Sequence, residues 1–553
     1  MSNDTGESDV TPTESGTTGT VGNFPHGNRE IPETSPAPMA VDRSEKANPQ
    51  TSDMHVSGKS DSFVVPKKQA NKAGPPTAAE SVEGRGLTKG NVRQLLPDRT
   101  QRRNKDGTPF RPGSRGLSGV RAAAQKEGQR KFTALMHHIT PDLLRASFFG
   151  LKKHAAPGVD QQTWQDYAKD YERRIDDLHG RIQRGAYRAK PSKRTYIPKP
   201  DGKQRPLGIA ALEDKIVQQA TRTVLECIYE QDFKGFSYGF RPGRSPHRAL
   251  DALSVGITTR RVNWIIDADI RGFFDNISHE WMMEFLKHRI ADPKILRLLK
   301  KWLKAGVSED GEWSPTTVGT PQGAVISPLL ANVFLHYVLD QWIDAWRERR
   351  AAGEVIIVRY ADDFVLGFRE EADARRCLAE LKERFTRFGL ELHPEKTRLI
   401  EFGRQANKRR SGRGEGPPET FDFLGFTHSC STTRKGQFKI LRTTSRKKFQ
   451  AKLDDIKGKL SRALHADVEQ VGSWLRSVVK GWYQYYAVPG NYPRLRQFYD
   501  ALQDMWLAKL RRRSQRGRYL TWDKFARLCQ IWLPMPKILH PYPEARFACQ
   551  HPR

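Results

Sequence analysis

Two groups of carboxylates are notable for their setting. Asp267-Ala-Asp-Ile-Arg-Gly-Phe-Phe-Asp275 follows the apolar run that starts at Val262. Tyr360-Ala-Asp-Asp363, about 90 residues further on, separates Val355-Ile-Ile-Val from Phe364-Val-Leu-Gly-Phe368. A carboxylate at the end of a buried strand is costly unless a cation or a metal pairs with it. If the two strands are neighbours in one sheet, Asp269 and Asp362 can share a pair of divalent ions. Mg²⁺ suits such a place, because it takes oxygen ligands, keeps several waters and uses one or two carboxylates plus substrate phosphates. Two ions ~3.5–4 Å apart activate a 3′-hydroxyl and stabilise a leaving pyrophosphate, which is nucleotidyl transfer. Two of the acids have plainer readings: Asp275 as a turn or cap ahead of a helix, and Asp363 as a hairpin turn residue.

The elements that must hold these acids can be read locally. Val262-Asn-Trp-Ile-Ile-Asp-Ala-Asp-Ile270 is nearly continuous in apolar and β-branched residues, which predicts a buried strand. Residues 355–368 are two apolar runs around a polar pair, a hairpin signature. Ser278 opens a helix with Trp281, Met282, Phe285 and Leu286 on one face. Leu135, Met136 and Ile139, then Leu143, Leu144, Phe148 and Phe149, predict amphipathic helices separated by Pro141. Residues 403–420 read as a Gly-, Pro- and Arg-rich solvated loop, and Phe421 to Phe426 as a strand. Phe449, Leu453, Ile456 and Leu460 form one stripe of a helix. Its other face carries Lys447, Lys448, Lys452, Lys457 and Lys459, read as lacking matching acids and therefore as facing phosphate.

Composition agrees with a polyanionic partner. The 553 residues carry 94 Lys+Arg against 63 Asp+Glu, a formal charge of +31. Residues 1–80 hold 7 Lys+Arg and 11 Asp+Glu, so the rest of the chain carries about +35. Residues 1–90 are rich in Ser, Thr, Gly and Pro and read as a disordered tail. Residues 91–131 read as a basic arm that orders on meeting its partner. The five cysteines (Cys227, Cys377, Cys430, Cys529 and Cys549) include no CxxC pair, which excludes a disulfide scaffold and a zinc ribbon. Nothing approaches 18 consecutive apolar residues, and the N-terminus has no secretory pattern, so a cytoplasmic, nucleoid-associated protein without a membrane partner is expected.

An ordered set of motifs carries a family resemblance. Ala155-Ala-Pro-Gly-Val-Asp160, Tyr196-Ile-Pro-Lys-Pro-Asp-Gly-Lys-Gln-Arg-Pro-Leu-Gly-Ile209, Asp214-Lys215 and Gly235-Phe-Ser-Tyr-Gly-Phe-Arg-Pro-Gly-Arg-Ser245 come first. Gly319-Thr-Pro-Gln-Gly-Ala-Val-Ile-Ser-Pro-Leu-Leu-Ala-Asn332, Tyr360-Ala-Asp-Asp363, His393-Pro-Glu-Lys-Thr397 and Phe421-Asp-Phe-Leu-Gly-Phe426 follow. The chain resembles the reverse transcriptase/maturases encoded by bacterial group II introns over roughly residues 130–510. The resemblance implies an α+β, right-hand polymerase fold: fingers and palm over 132–430, a helical thumb/maturase domain over 431–510, and a basic DNA-binding segment over 511–553.

It also implies roles. Asp269, Asp362 and Asp363, with the backbone carbonyl of Ile270, would hold two Mg²⁺ ions. Lys199 and Arg205, flanking a Pro-Asp-Gly turn, would meet the incoming triphosphate. Phe274 would crowd the sugar 2′ carbon and favour dNTPs, Gln322 would sit beside the templating pair, and Lys396 would protonate pyrophosphate. Gly319, Pro321 and Gly323 would position template, and Phe423, Leu424 and Gly425 the primer end. Arg446, Lys447, Lys448, Lys452, Trp482 and Tyr485 would contact RNA, although the aromatics serve equally as helix core.

The expected function is an RNA-directed DNA polymerase that also binds its intron RNA to assist splicing and copies it during retrohoming into target DNA. Without cysteine pairs near its end, no HNH-type endonuclease is expected, so the priming 3′ end would be borrowed. Homodimerisation stays open. The alternatives are an RNA-binding maturase with a vestigial polymerase and a domesticated defence-type reverse transcriptase.

Overall fold

The computed structural model describes residues 114–198, 204–309, 311–320 and 322–550. The expected tail, residues 91–113 of the arm, Lys199 and Pro321 lie outside the described residues.

The described part of the arm departs from expectation. Ser114–Lys126 is a helix, α1, whose Val120 and Ala124 are buried, with Leu117 and Ala123 packed at the margin. Apolar residues three and four apart give it a stripe to bury without a nucleic-acid partner. The expected helix before Pro141 is only a 3₁₀ turn, Met136–His138. Pro141 instead starts helix α2 (Pro141–Phe149), at the one position where its missing N–H costs nothing, with Thr140 as the cap.

Helices α3 (Trp164–Ala168) and α4 (Tyr171–Gln183) lead to the hairpin β1 (Ser192–Pro198) and β2 (Gln204–Ile209). Two long helices follow, α5 (Leu212–Asp232) and α6 (Pro246–Thr259), then strand β3 (Trp264–Ala268). Helix α7 (His279–Lys287), capped by Ser278 as predicted, precedes α8 (Pro293–Leu303) and the short strands β4 (Val307–Glu309) and β5 (Glu312–Ser314). These join the hairpin in one sheet ordered β2-β1-β4-β5.

Helix α9 (Ser327–Leu335), a π turn (His336–Asp340) and α10 (Gln341–Arg349) run end to end into the hairpin β6 (Val355–Tyr360) and β7 (Asp363–Phe368). After α11 (Glu371–Arg387) comes β8 (Arg398–Glu401), completing a sheet ordered β6-β7-β3-β8. Val355, Ile356, Ile357 and Val358 are all buried, so β6 is covered on both faces, which is why it reads as an unbroken apolar run.

The predicted solvated loop contains a helix, α12 (Ala406–Gly412). Its arginines are occupied: Arg409 and Arg413 both bond the buried Glu401 at the end of β8. The predicted strand 421–426 is a hairpin corner, β9 (Phe421–Phe423) turning at Leu424-Gly425 into β10 (Phe426–Thr432), which pairs with β11 (Phe438–Thr444). Leu424 and Gly425 have φ of +48° and +80°, the left-handed pair a two-residue type I′ turn demands. Helices α13 (Arg446–Arg462), α14 (Val468–Tyr486), α15 (Tyr492–Arg513), α16 (Trp522–Trp532) and α17 (Pro543–Gln550) complete the chain. No helix among the described residues is long and apolar enough to cross a membrane.

Candidate active site

The four-stranded sheet brings the two acidic groups together. β3 pairs antiparallel with β7 in a register that sets Ala268 against Phe364, so Asp269, one residue past β3, emerges beside Asp363 at the start of β7. Asp362 belongs to the turn between β6 and β7, where Tyr360 pairs with Asp363.

The charges feel one another. The Asp363 carboxyl is pushed up to about 7 by burial first, then by the charges of Asp362, Asp269 and Asp267. The residue as a whole is nevertheless exposed to solvent. Water there screens the repulsion between the carboxylates. Asp362 is raised as well, by burial, with its own backbone N–H and Arg205 opposing and Asp269 adding to the rise. Asp267, one turn of the pleat earlier, is pushed up to about 6 by burial against the pull of Arg398, which bonds it at 3.4 Å.

Carboxyls raised in this way are ones whose charged form a divalent cation would favour. Besides Arg398 and Arg205, Lys396 is at the site: its Nζ bonds Asp269 Oδ2 at 2.6 Å. Backbone also ties the two segments, since the N–H of His393 donates to the carbonyl of Asp269 at 2.8 Å. Ile270 is buried and bridges Leu392. Among the described residues no three His, Cys, Asp or Glu side chains form a closed metal cage. Mg²⁺ does not require one, because its sites are completed by water and substrate phosphates. Asp269, Asp362 and Asp363 offer only oxygen donors, the kind such an ion takes.

The β1-β2 hairpin supplies the arginine whose charge acts on Asp362. Arg205 is exposed on β2, and its Nε donates to Gln322 Oε1 at 2.9 Å. Gly208 N donates to Gln322 O at 2.6 Å, so the loop 319–323 is stitched to β2 along both backbone and side chain. Gly323 has φ +112°, and a Cβ there would meet Gly208 O at 2.8 Å. Gly319, at φ +87°, lies equally tight on the carbonyls of Phe274 and Asp275. Only glycine permits both approaches. His279 donates to Gly319 O at 2.6 Å and Thr320 N to Phe274 O at 2.8 Å. Phe274 is therefore pinned through its backbone, with its half-buried ring edge-on to Phe273. Asp275 closes a 3₁₀ turn just before the Ser278 cap, close to its plain reading.

The Phe423-Leu424-Gly425 corner lies at the end of β9, which packs against β7. Tyr485 Oη donates to Leu424 O at 2.7 Å, and Ser445 N to Gly425 O at 3.0 Å. Of the two readings left open for the aromatics, the packing is that of helix core. Trp482 is buried and stacks on Phe498 at 4.7 Å, while Tyr485 spends its hydroxyl on Leu424 and its ring on Phe426. Their spacing on α14 is that of a buried helix face, and these rings are core. Arg446, Lys447 and Lys448 are exposed, as expected. Lys452 differs: Asp455 bonds both Lys452 and Lys459, so the lysine face does have a matching acid.

Sequence reading missed Arg359, the residue before Tyr360. A cation inside an apolar strand run demands a buried partner, and that demand was the available signal.

Residues 197–428 match the reverse transcriptase (RNA-dependent DNA polymerase) family. Protein YkfC of Escherichia coli (strain K12) is 36% identical over 278 residues, 43% of this chain and 72% of that protein. Group II intron-encoded protein LtrA of Lactococcus lactis subsp. cremoris is 35% identical over 232 residues, 41% of this chain but only 38% of LtrA. Nuclear intron maturase 2, mitochondrial, of Arabidopsis thaliana is 27% identical over 172 residues, 24% of this chain and 23% of that protein. The matched family, the order of its motifs and the convergence of Asp269 with Asp362 and Asp363 agree: the chain belongs to the group II intron-encoded reverse transcriptase/maturase family.

Proposed function

We propose that this protein is an RNA-directed DNA polymerase that extends a DNA 3′ end along an RNA template, and that it binds the RNA of a group II intron to assist its splicing. One observation supports the reading: the β3–β7 register brings Asp269 to the end of the sheet where Asp362 and Asp363 lie, and the charge of Arg205 on β2 acts on Asp362.

Asp269, Asp362, Asp363 and the Ile270 carbonyl would hold two Mg²⁺ ions. When bound, these supply a lowered 3′-hydroxyl pKa and charge neutralisation on the phosphates. The chain's own residues do the rest. Arg205, with Lys199, binds the triphosphate, and its bond to Gln322 couples the fingers hairpin to the loop that seats the template. Phe274, fixed through its backbone, presents a bulky ring to the sugar and selects dNTPs. Lys396 holds a proton on Nζ beside Asp269, placed for delivery to the leaving pyrophosphate. Helices α13 to α15 serve as thumb, and the Leu424-Gly425 corner holds the primer end. Copying of the intron into target DNA, with residues 511–553 on that DNA, completes the retrohoming role.

The test is primer extension on poly(rA)/oligo(dT) with dTTP and Mg²⁺. Incorporation by the wild type and none by Asp362→Ala is the expected result. Intron RNA binding without incorporation by the wild type would leave only the vestigial-polymerase alternative.

A further inference from the structure

Arg359 is wholly buried, at 0% exposure, and so is the carboxylate it pairs with, Asp340. Its guanidinium is used nearly to capacity. Nε donates to Asp340 Oδ1 at 2.7 Å and Nη2 to Asp340 Oδ2 at 2.5 Å. Nη1 donates to Asn332 Oδ1 at 3.0 Å and to the carbonyl oxygen of Ala361 at 2.9 Å. That last bond reaches into the Tyr360-Ala-Asp-Asp363 turn itself.

Ala361 has φ +59°, a left-handed conformation a non-glycine residue adopts at a cost. Something must hold it there. Peptide planarity makes the Ala361 carbonyl and the Asp362 N–H point in opposite directions. With the carbonyl drawn inward by Arg359, the Asp362 N–H points outward. One guanidinium thus sets the plane from which Asp362 projects.

The remaining contacts fix the backing of the turn. Arg359 N donates to Phe236 O at 3.0 Å, and Tyr238 N donates to Arg359 O at 2.8 Å. Asn332 Nδ2 donates to Gly239 O at 2.7 Å. Gly239 lies flush against the turn, and a Cβ there would overlap the backbone of Tyr360 and Ala361.

Asn332 and Asp340 are eight residues apart, which in a uniform α-helix leaves them about 80° apart around the axis. The π turn His336–Asp340 takes up one more residue per turn and returns Asp340 to the side of Asn332. The irregular turn has a purpose on this view: it lets one arginine meet both.

We propose that Arg359, oriented by Asp340 and Asn332, is a positioning residue that sets the peptide plane of the catalytic turn and thereby aims Asp362. The inference rests on the polymerase reading above, and it assigns a role to residues outside the carboxylate site.

The experiment pairs single-nucleotide steady-state kinetics with Mn²⁺ binding followed by electron paramagnetic resonance. Arg359→Lys keeps a charge for Asp340 but lacks the planar fork. Its kcat falls on the order of 30-fold or more, as for other small misplacements of a reacting group. KM for dTTP stays within about threefold, the signature of a lost transition-state interaction. Mn²⁺ binds about tenfold more weakly, because one ligand is misaimed. Asp340→Leu with Arg359→Met removes both charges in similar volume and regains thermal stability, yet kcat and Mn²⁺ affinity stay low. Asn332→Ala, which leaves the ion pair intact, shifts both readouts the same way to a smaller extent and serves should the double variant not fold. Wild-type kcat and Mn²⁺ affinity in the double variant, or in Arg359→Lys, would overturn the proposal. A wild type that binds Mn²⁺ but extends no primer would sink the polymerase reading instead, and the Mn²⁺ comparison would still decide the role of Arg359.

Discussion

Tyr485 on α14 donates its hydroxyl to the carbonyl oxygen of Leu424, 61 residues earlier, at the tip of the β9–β10 corner. The bond joins the C-terminal helices to the element proposed to hold the primer end. A Tyr485→Phe variant loses the bond and keeps the ring against Phe426. Stability falls by about 1–2 kcal/mol, the cost of leaving a carbonyl unpaired. If the corner holds the primer, products also shorten before dissociation, which primer extension with trapped enzyme measures. Unchanged product lengths would separate the corner from primer handling.

Leu424 itself is strained, since a branched side chain at φ +48° is unfavourable by about 1–2 kcal/mol. Asn is at home at the first position of a type I′ turn. Leu424→Asn should therefore raise the unfolding free energy by about 1 kcal/mol in urea titrations, while primer extension weakens, because strain kept at a functional site is relieved at the expense of the contact it serves. A variant that is both more stable and fully active would show that the leucine has no such use.

The local chemistry was more legible than the context. The apolar run into Asp269 and the paired runs around Tyr360-Ala-Asp-Asp363 identify strand and hairpin because period and burial are local properties, and β3, β6 and β7 stand there. Ser278 as a cap is equally local. What depended on partners distant in sequence was left open or misread. Trp482 and Tyr485 read equally as RNA contacts and as helix core until Phe498, Phe426 and Leu424 are seen to cover them. The arginines of 403–420 look solvated until Glu401 claims two of them. The Arg359–Asp340 pair combines residues on a strand and a π turn, and no spacing rule foretells it.

His428 gives a pH dependence with a definite sign. The ring is fully buried and stacked on Phe421 at 4.8 Å. Burial first, and then the Arg442 cation, push its pKa down to about 3. The unfolded chain, near 6.5, binds the proton more readily, so this group favours folding above pH 6.5 and the benefit is lost as pH falls toward 3. Between pH 6.5 and 5 the wild type should lose about 1.5 kcal/mol more stability than His428→Leu. Urea midpoints at the two values check this, and parallel losses would mean that His428 is not the group responsible.

The first turn of α13 carries Arg446, Lys447 and Lys448, all exposed, and no acid. A helix N-terminus disfavours cations by about 0.3–1 kcal/mol each, so this placement costs the fold stability. Lys448 lies near enough to Asp363 to act on its carboxyl, which orients the turn toward the active-site cleft. Both facts fit phosphate binding better than a merely solvated face. Replacing all three with Gln should raise the thermal midpoint slightly and weaken binding of an RNA duplex. It should also flatten the dependence of log affinity on log salt by about 2–3, near one per lost phosphate contact. A salt dependence equal to that of the wild type would place the RNA elsewhere, leaving three cations whose position nothing in binding explains.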